Sequence, residues 1–295
     1  MNLDPTDFPV STVISWFEAN ARPLPWRDPA TSAWAILLSE VMSQQTPVAR
    51  VAPIWQQWLD TWPDVESFAQ ARSDEVLRAW GTLGYPRRAL RLLECARVIV
   101  ARHGGKVPAD VDELLALPGI GDYTARAVAC FAFGQNVPVV DTNVRRVYSR
   151  AVEGRPLAPP ASKRELAQVA SLLPERKGPV FSAGLMELGA LICTATSPLC
   201  DVCPIQADCA WVQAGKPAPT EDELRSKKVQ KFAGTDRQVR GKIMKVLREA
   251  DAPVGQSKID VVWPDKAQLS RALFSLLDDG LAVQDDQGLF HLPGQ

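Results

Sequence analysis

The chain has 295 residues, 46% of them hydrophobic, and a formal net charge of −1. That length and apolar content supply a real core, and the balanced charge excludes a global basic field. Met1-Asn2-Leu3-Asp4-Pro5 lacks the basic and apolar regions of a targeting segment, and no apolar run reaches transmembrane length. The expectation is a cytoplasmic protein without a membrane partner, its cysteines reduced. Charge is nonetheless uneven, with basic stretches at 72–106, 145–155 and 225–245. These read either as solvated helix faces or as phosphate contacts.

Apolar residues recur at helical spacing through most of the first 210 positions. Trp34, Ile36, Leu37, Leu38, Val41 and Met42 predict a buried helix; Val51, Ile54, Trp55, Trp58 and Leu59 predict the next. Val76, Leu77 and Trp80 suit a short helix ending near Gly81, and Leu90 to Ile99 a longer one broken at His103-Gly104-Gly105. Residues 213–235 read as a linker. Beyond it, 237–250 and 266–279 predict helices, 256–262 a short third helix, and 281–292 a hairpin. Helices followed by a hairpin suggest a winged-helix-like module at 236–295.

Leu117-Pro118-Gly119-Ile120-Gly121 separates two helical patterns, the second starting near Tyr123. Gly119 and Gly121 would let the backbone pass close to an anion, at a helix end whose free N–H groups favour negative charge. Cys193, Cys200, Cys203 and Cys209 are spaced C-x6-C-x2-C-x5-C. Four such thiolates suit an iron–sulfur cluster or a tetrahedral zinc, and the spacing chemistry leaves both open. Cys95 and Cys130 lie in apolar helical segments and read as core residues.

Two acids stand out. Glu40 lies inside an apolar helix and is followed by Gln44-Gln45-Thr46; a buried acid needs a partner or a function. Asp141 follows Val137-Pro138-Val139-Val140, where a helix N-cap is the simplest role. Two such carboxyls can divide into an acid that protonates a leaving group and an ionised partner for a cationic centre. Apolar neighbours suit Glu40 as the acid. A helix N-terminus and nearby arginines suit Asp141 as the ionised partner.

The run Ser39-Glu40-Val41-Met42-Ser43-Gln44-Gln45-Thr46, the Asp141-Thr142-Asn143-Val144 segment, the hairpin and the cysteine spacing occur in order. Together they resemble the MutY adenine glycosylases of the helix-hairpin-helix, endonuclease III-like superfamily, over about residues 10–212. The resemblance implies an all-α fold of two helical lobes. One comprises 1–30 and 140–212 with a [4Fe-4S] loop; the other is a six-helix lobe at 31–139 carrying the hairpin. It implies Glu40, Asp141 and Tyr123 as catalytic residues, and Arg22, Leu24, Trp26 and Arg27 around a flipped adenine. Gln44, Gln45, Thr46, Tyr85, Gly119, Gly121 and Asn143 would meet DNA. Cys193, Cys200, Cys203 and Cys209 would hold the [4Fe-4S] cluster.

The activity so implied is monofunctional removal of adenine opposite 8-oxoguanine or guanine in double-stranded DNA, by a monomer, nucleoid-associated if bacterial. Endonuclease III-like strand cutters carry a lysine where Tyr123 stands, whose amine forms a Schiff base. Departures from the pattern are Ser43, Pro86 after Tyr85, Ala183, and the absence of a MutT-like C-terminal domain. Rival readings are a mismatch thymine or uracil glycosylase, which would not need Glu40, and a catalytically weak DNA-binding iron–sulfur protein.

Overall fold

The computed structural model describes residues 4–225 and 232–294. Met1 to Leu3, the 226–231 part of the expected linker with Lys227, Lys228 and Lys231 of the third basic stretch, and Gln295 lie outside them. In chain order the helices are α1 (Val10–Asn20), α2 (Ala33–Ser43), α3 (Val48–Thr61), α4 (Val65–Ala69) and α5 (Ser73–Trp80). Next come α6 (Arg87–His103), α7 (Val111–Leu115), α8 (Asp122–Phe133), α9 (Thr142–Ala151), α10 (Arg164–Ala170) and α11 (Gly178–Leu191). The last are α12 (Ala210–Gln213), α13 (Glu221–Arg225), α14 (Asp236–Glu249), α15 (Gln256–Asp260) and α16 (Lys266–Asp278), before β1 (Val283–Gln284) and β2 (Phe290–His291). The expected linker thus contains α13. Among the described residues, no helix is long and apolar enough to cross a membrane.

Contacts group the chain into two compact units. One unit comprises Met1–Ile36, Ala109–Asp112 and Gly121–Lys228. Its core joins Val13 and Ile14 of α1, Val144 and Val147 of α9, and Phe181, Leu185 and Leu188 of α11. A Cβ on Gly189 would lie 2.6 Å from the Asn143 Cβ, so glycine there lets α11 approach the start of α9. A smaller cluster of Ala127, Cys130 and Val139 receives the partly buried Tyr123 ring.

The other unit comprises Leu37–Pro108, Glu113–Ile120 and Val229–Gln295. Trp58 is its aromatic centre, 5.1 Å from Phe68 and 5.6 Å from Trp80 between ring centroids. Such offset and edge-on pairs add about 0.5–1.5 kcal/mol each beyond area burial. The C-terminal segment belongs to this unit. A bridge from Val254 to Phe290 adds a third extended segment beside the antiparallel β1–β2 pair. Val239, Ile243 and Leu247 of α14 and Leu269, Leu273 and Leu276 of α16 fill its core with Ile259. Their i, i+3/i+4 spacing is what made these helices legible.

Candidate functional site

Glu40 lies on α2, whose residues Trp34 to Ser39, Val41 and Met42 are all buried. Glu40 itself is half-buried. Ser32 accepts from the Ala35 N–H at 3.2 Å, satisfying one free donor at the helix start. The other end is closed by Arg88, which donates Nη1 to the carbonyls of Val41 at 2.7 Å and Gln44 at 2.8 Å. A cation at a helix C-terminus also complements the helix dipole. The same guanidinium reaches the Gly84 carbonyl at 3.1 Å and lies 5.1 Å from the Trp80 ring centroid. Burial holds the Arg88 pKa below its ordinary value.

The turn after α2 puts Gln45 at φ +55° with its side chain exposed. Tyr85, also exposed, sits at φ +48°. Both residues occupy the left-handed region that side chains rarely adopt, and such strain gathers at functional positions. Gln44, Gln45, Tyr85, Arg87, Arg88 and Arg91 line one open pocket. The structure turns Thr46 inward instead: it is 7% exposed and donates to the Leu83 carbonyl at 3.0 Å. Its hydroxyl fixes the loop.

In the hairpin, Gly119 has φ +76°, and a Cβ on it would stand 2.9 Å from that of Arg91. Gly121 is the N-cap of α8, and a Cβ built on it would meet nothing within 4 Å. Tyr123 is in that first turn.

Asp141 is the N-cap of α9. Its Oδ1 accepts from the N–H of Asn143 at 2.8 Å and of Val144 at 2.7 Å, while Oδ2 accepts from Asn143 Nδ2 at 2.7 Å. Arg146 in turn donates to Asn143 Oδ1 at 2.6 Å. Asn143, expected at DNA, therefore orients the carboxylate. Burial raises the Asp141 pKa despite these hydrogen bonds and the charge of Arg146. The expected effect of helix end and arginine is present, but desolvation outweighs it.

Arg22, Leu24, Trp26 and Arg27 form a partly exposed bend closed by a 3-10 turn at Pro25–Arg27. Arg22 and Arg27 converge on Glu187, which the sequence reading missed. Glu187 is 1% exposed and meets Arg22 Nη2 at 2.7 Å and Arg27 Nη2 at 3.0 Å. The two guanidiniums hold its carboxyl down at about 2 against the pull of burial. An acid amid Leu185, Met186 and Leu188 was the same signal that marked Glu40. Ala183 lies on the same helix, α11.

All four cysteines of the C-x6-C-x2-C-x5-C run line one cavity of about 380 Å³, its open mouth included, with Ile205, Trp211 and Arg150. Arg150 is 4% exposed and donates to Cys193 Sγ at 3.4 Å and to the Thr194 carbonyl at 2.7 Å. Arg146 adds a bond from Nε to the Cys193 carbonyl at 2.6 Å. Burial holds the Cys203 thiol at about 11, so occupancy by a metal centre must expel a proton there. Four thiols around one cavity, with a buried cation beside them, fit an anionic thiolate-ligated cluster.

Several arginines of the basic stretches have partners within the fold. Arg78, Arg97, Arg145 and Arg150 donate to backbone carbonyls, and Arg87 and Arg155 pair with Asp279 and Glu223. Cys95 and Cys130 are buried as expected, and burial pushes the Cys95 thiol up to about 12.

An adenine DNA glycosylase of Mycolicibacterium smegmatis is 57% identical over 285 residues, covering 96% of this chain and 95% of that protein. The chain belongs to the adenine DNA glycosylases of base excision repair. The adenine DNA glycosylase of Mycobacterium tuberculosis is 52% identical over 288 residues, 97% of this chain and 93% of that protein. Alignments of that extent run through the C-terminal module. Residues 38–171 match the HhH-GPD superfamily of base excision DNA repair proteins, and 193–209 match the iron–sulfur binding domain of endonuclease III. The chain accordingly carries a [4Fe-4S] cluster, which settles zinc against iron–sulfur, and its substrate is DNA. A solved thermostable thymine-DNA glycosylase shares the fold, with a TM-score of 0.63 and 28% identity over 70% of this chain and 95% of that one. Identity to adenine DNA glycosylases is about twice as high, so the thymine reading gives way to the adenine one.

Proposed function

We propose that the enzyme is a monofunctional hydrolase that removes adenine facing 8-oxoguanine or guanine and leaves an abasic site. Glu40 protonates the adenine, so that the base departs neutral. Asp141 stabilises the oxocarbenium-like sugar that remains. A desolvated carboxylate interacts more strongly with such a cation than a hydrated one does. The four cysteines hold the cluster, Gly119 and Gly121 meet the DNA backbone, and Leu24 and Trp26 supply apolar surface for the extruded base. The enzyme acts as a monomer.

The hydrolytic reading is carried by the residue at the start of α8. Tyr123 has no amine, so no Schiff base forms there and water resolves the sugar cation. Single-turnover adenine release from duplexes containing A:8-oxoG, A:G, A:C and A:T tests the assignment. Fast release from the first two and little from the others is the expected result. Equal, slow release from all four would overturn mispair recognition.

A further inference from the structure

The pocket of Gln44, Gln45, Tyr85, Arg87, Arg88 and Arg91 has the chemistry of a nucleotide site. An exposed aromatic face stacks on bases and carboxamides read base edges, while Arg88 is engaged by backbone carbonyls and Arg87 by Asp279. Its aromatic member is held from the C-terminal module. Arg237, at the start of α14, donates from Nη1 to the Tyr85 hydroxyl at 2.6 Å. Its guanidinium lies 5.6 Å from the Tyr85 ring centroid and 5.0 Å from that of Phe232. Arg88 stands 5.7 Å from the same tyrosine ring.

Arg237 is delivered by an anchored element. Arg78 Nη2 donates to the Ala250 carbonyl at 2.9 Å, just past the end of α14. Asp279 pairs with Arg87 at 3.0 Å and with Arg240 of α14 at 2.6 Å. The first contact holds the far end of α14 and the Arg240 pair its beginning, beside a tyrosine whose own backbone is strained.

We propose that Arg237 is a positioning residue for opposite-base specificity: through it, the C-terminal module fixes Tyr85 to stack on the base that faces the excised adenine. This rests on the mispair reading proposed above. A ring tethered at its hydroxyl is presented in one orientation, and an untethered one loses discrimination before it loses chemistry.

The test uses the cluster-loaded full chain as wild type, Arg237→Ala, Arg237→Lys, Tyr85→Phe and the Arg237→Ala/Tyr85→Phe double variant. Affinity and single-turnover adenine release are measured on A:8-oxoG and A:G duplexes. Loss of one hydrogen bond and one cation–π contact should shrink the wild-type affinity ratio between the two duplexes about five- to tenfold in Arg237→Ala. The release rate at saturating enzyme should move far less. Arg237→Lys should recover part of the ratio, and the double variant should be no worse than the worse single one. An unchanged ratio in Arg237→Ala, or in Tyr85→Phe should Arg237→Ala not fold, overturns the proposal while leaving mispair recognition intact. A wild-type ratio of one overturns both.

Discussion

Arg22 forms a two-point fork with Glu187, Nε to Oε1 at 2.8 Å and Nη2 to Oε2 at 2.7 Å, across 165 residues of chain. The fork pins the bend of Leu24 and Trp26 to α11. It also fixes the sign of a pH effect. The folded Glu187 pKa lies near 2, below its ordinary 4.5, so the pair's contribution is complete above 4.5 and fades as pH falls toward 2. Glu187→Gln should cost about 2–3 kcal/mol at neutral pH, since it leaves two guanidiniums without their anion. Urea midpoints of variant and wild type should converge on acidification below 4.5. A gap that persists unchanged into acid would show that packing, not the ion pair, carries the contribution.

Glu40→Gln keeps the shape of the side chain and removes its proton. Adenine release should fall by about 10²–10⁴-fold, the range for a positioned general acid. Cluster absorbance and duplex affinity should hold. Near wild-type release in a quench assay would exclude Glu40 as the acid.

Asp141→Asn separates stability from chemistry. Burial raises the Asp141 pKa above its ordinary 3.8, so ionisation disfavours the fold and the associated stability is lost as pH rises through that raised value. Asparagine caps helices as well as aspartate does. The variant keeps the backbone caps but sets its amide nitrogen against the Asn143 Nδ2 donor, so the pH trend is the readout: its stability relative to wild type should rise as pH rises above 3.8 and wild type ionises. Adenine release should nevertheless collapse. If the Asp141 anion is the active form, the acid limb of the wild-type single-turnover rate should be displaced upward from 3.8.

Tyr123→Lys places an amine in the first turn of α8. Borohydride should trap this variant on DNA, whereas wild type and Tyr123→Ser should yield free abasic product. Trapping of wild type would mean that another amine does the work and that the hydrolytic assignment fails.

Arg150 faces the cysteine cavity from α9. Arg150→Ala removes a buried cation together with its bonds to Cys193 Sγ and the Thr194 carbonyl. Visible absorbance of the cluster should bleach faster in air than in wild type, with apo protein accumulating on gel filtration. Equal bleaching rates would reduce Arg150 to a packing residue.

Much of this was legible because it was periodic or spaced. The apolar period drew α2, α3, α14 and α16, and cysteine spacing marked the cluster loop. Carboxylates out of place in apolar runs marked Glu40 and Asp141. What escaped were pairings between distant segments. Nothing near Glu187 names Arg22, and nothing near Tyr85 names Arg237. Thr46 and Asn143 were placed at DNA by motif, yet each hydroxyl or amide meets a closer need in the fold. The basic stretches stayed open for a related reason: an arginine serving buried carbonyls looks in sequence like one awaiting phosphate.

The α5–α14 packing has a consequence for how the chain is made. Arg78 waits for the carbonyls of Arg248 and Ala250, which leave the ribosome long afterwards. The unit built from 37–108 and 113–120 is completed only by 229–295, after all of the other unit has been translated. Such late, long-range closure is slow and leaves apolar helix faces exposed to chaperones and proteases. A ribosome that stalls before α14 leaves a nascent chain already marked for quality control.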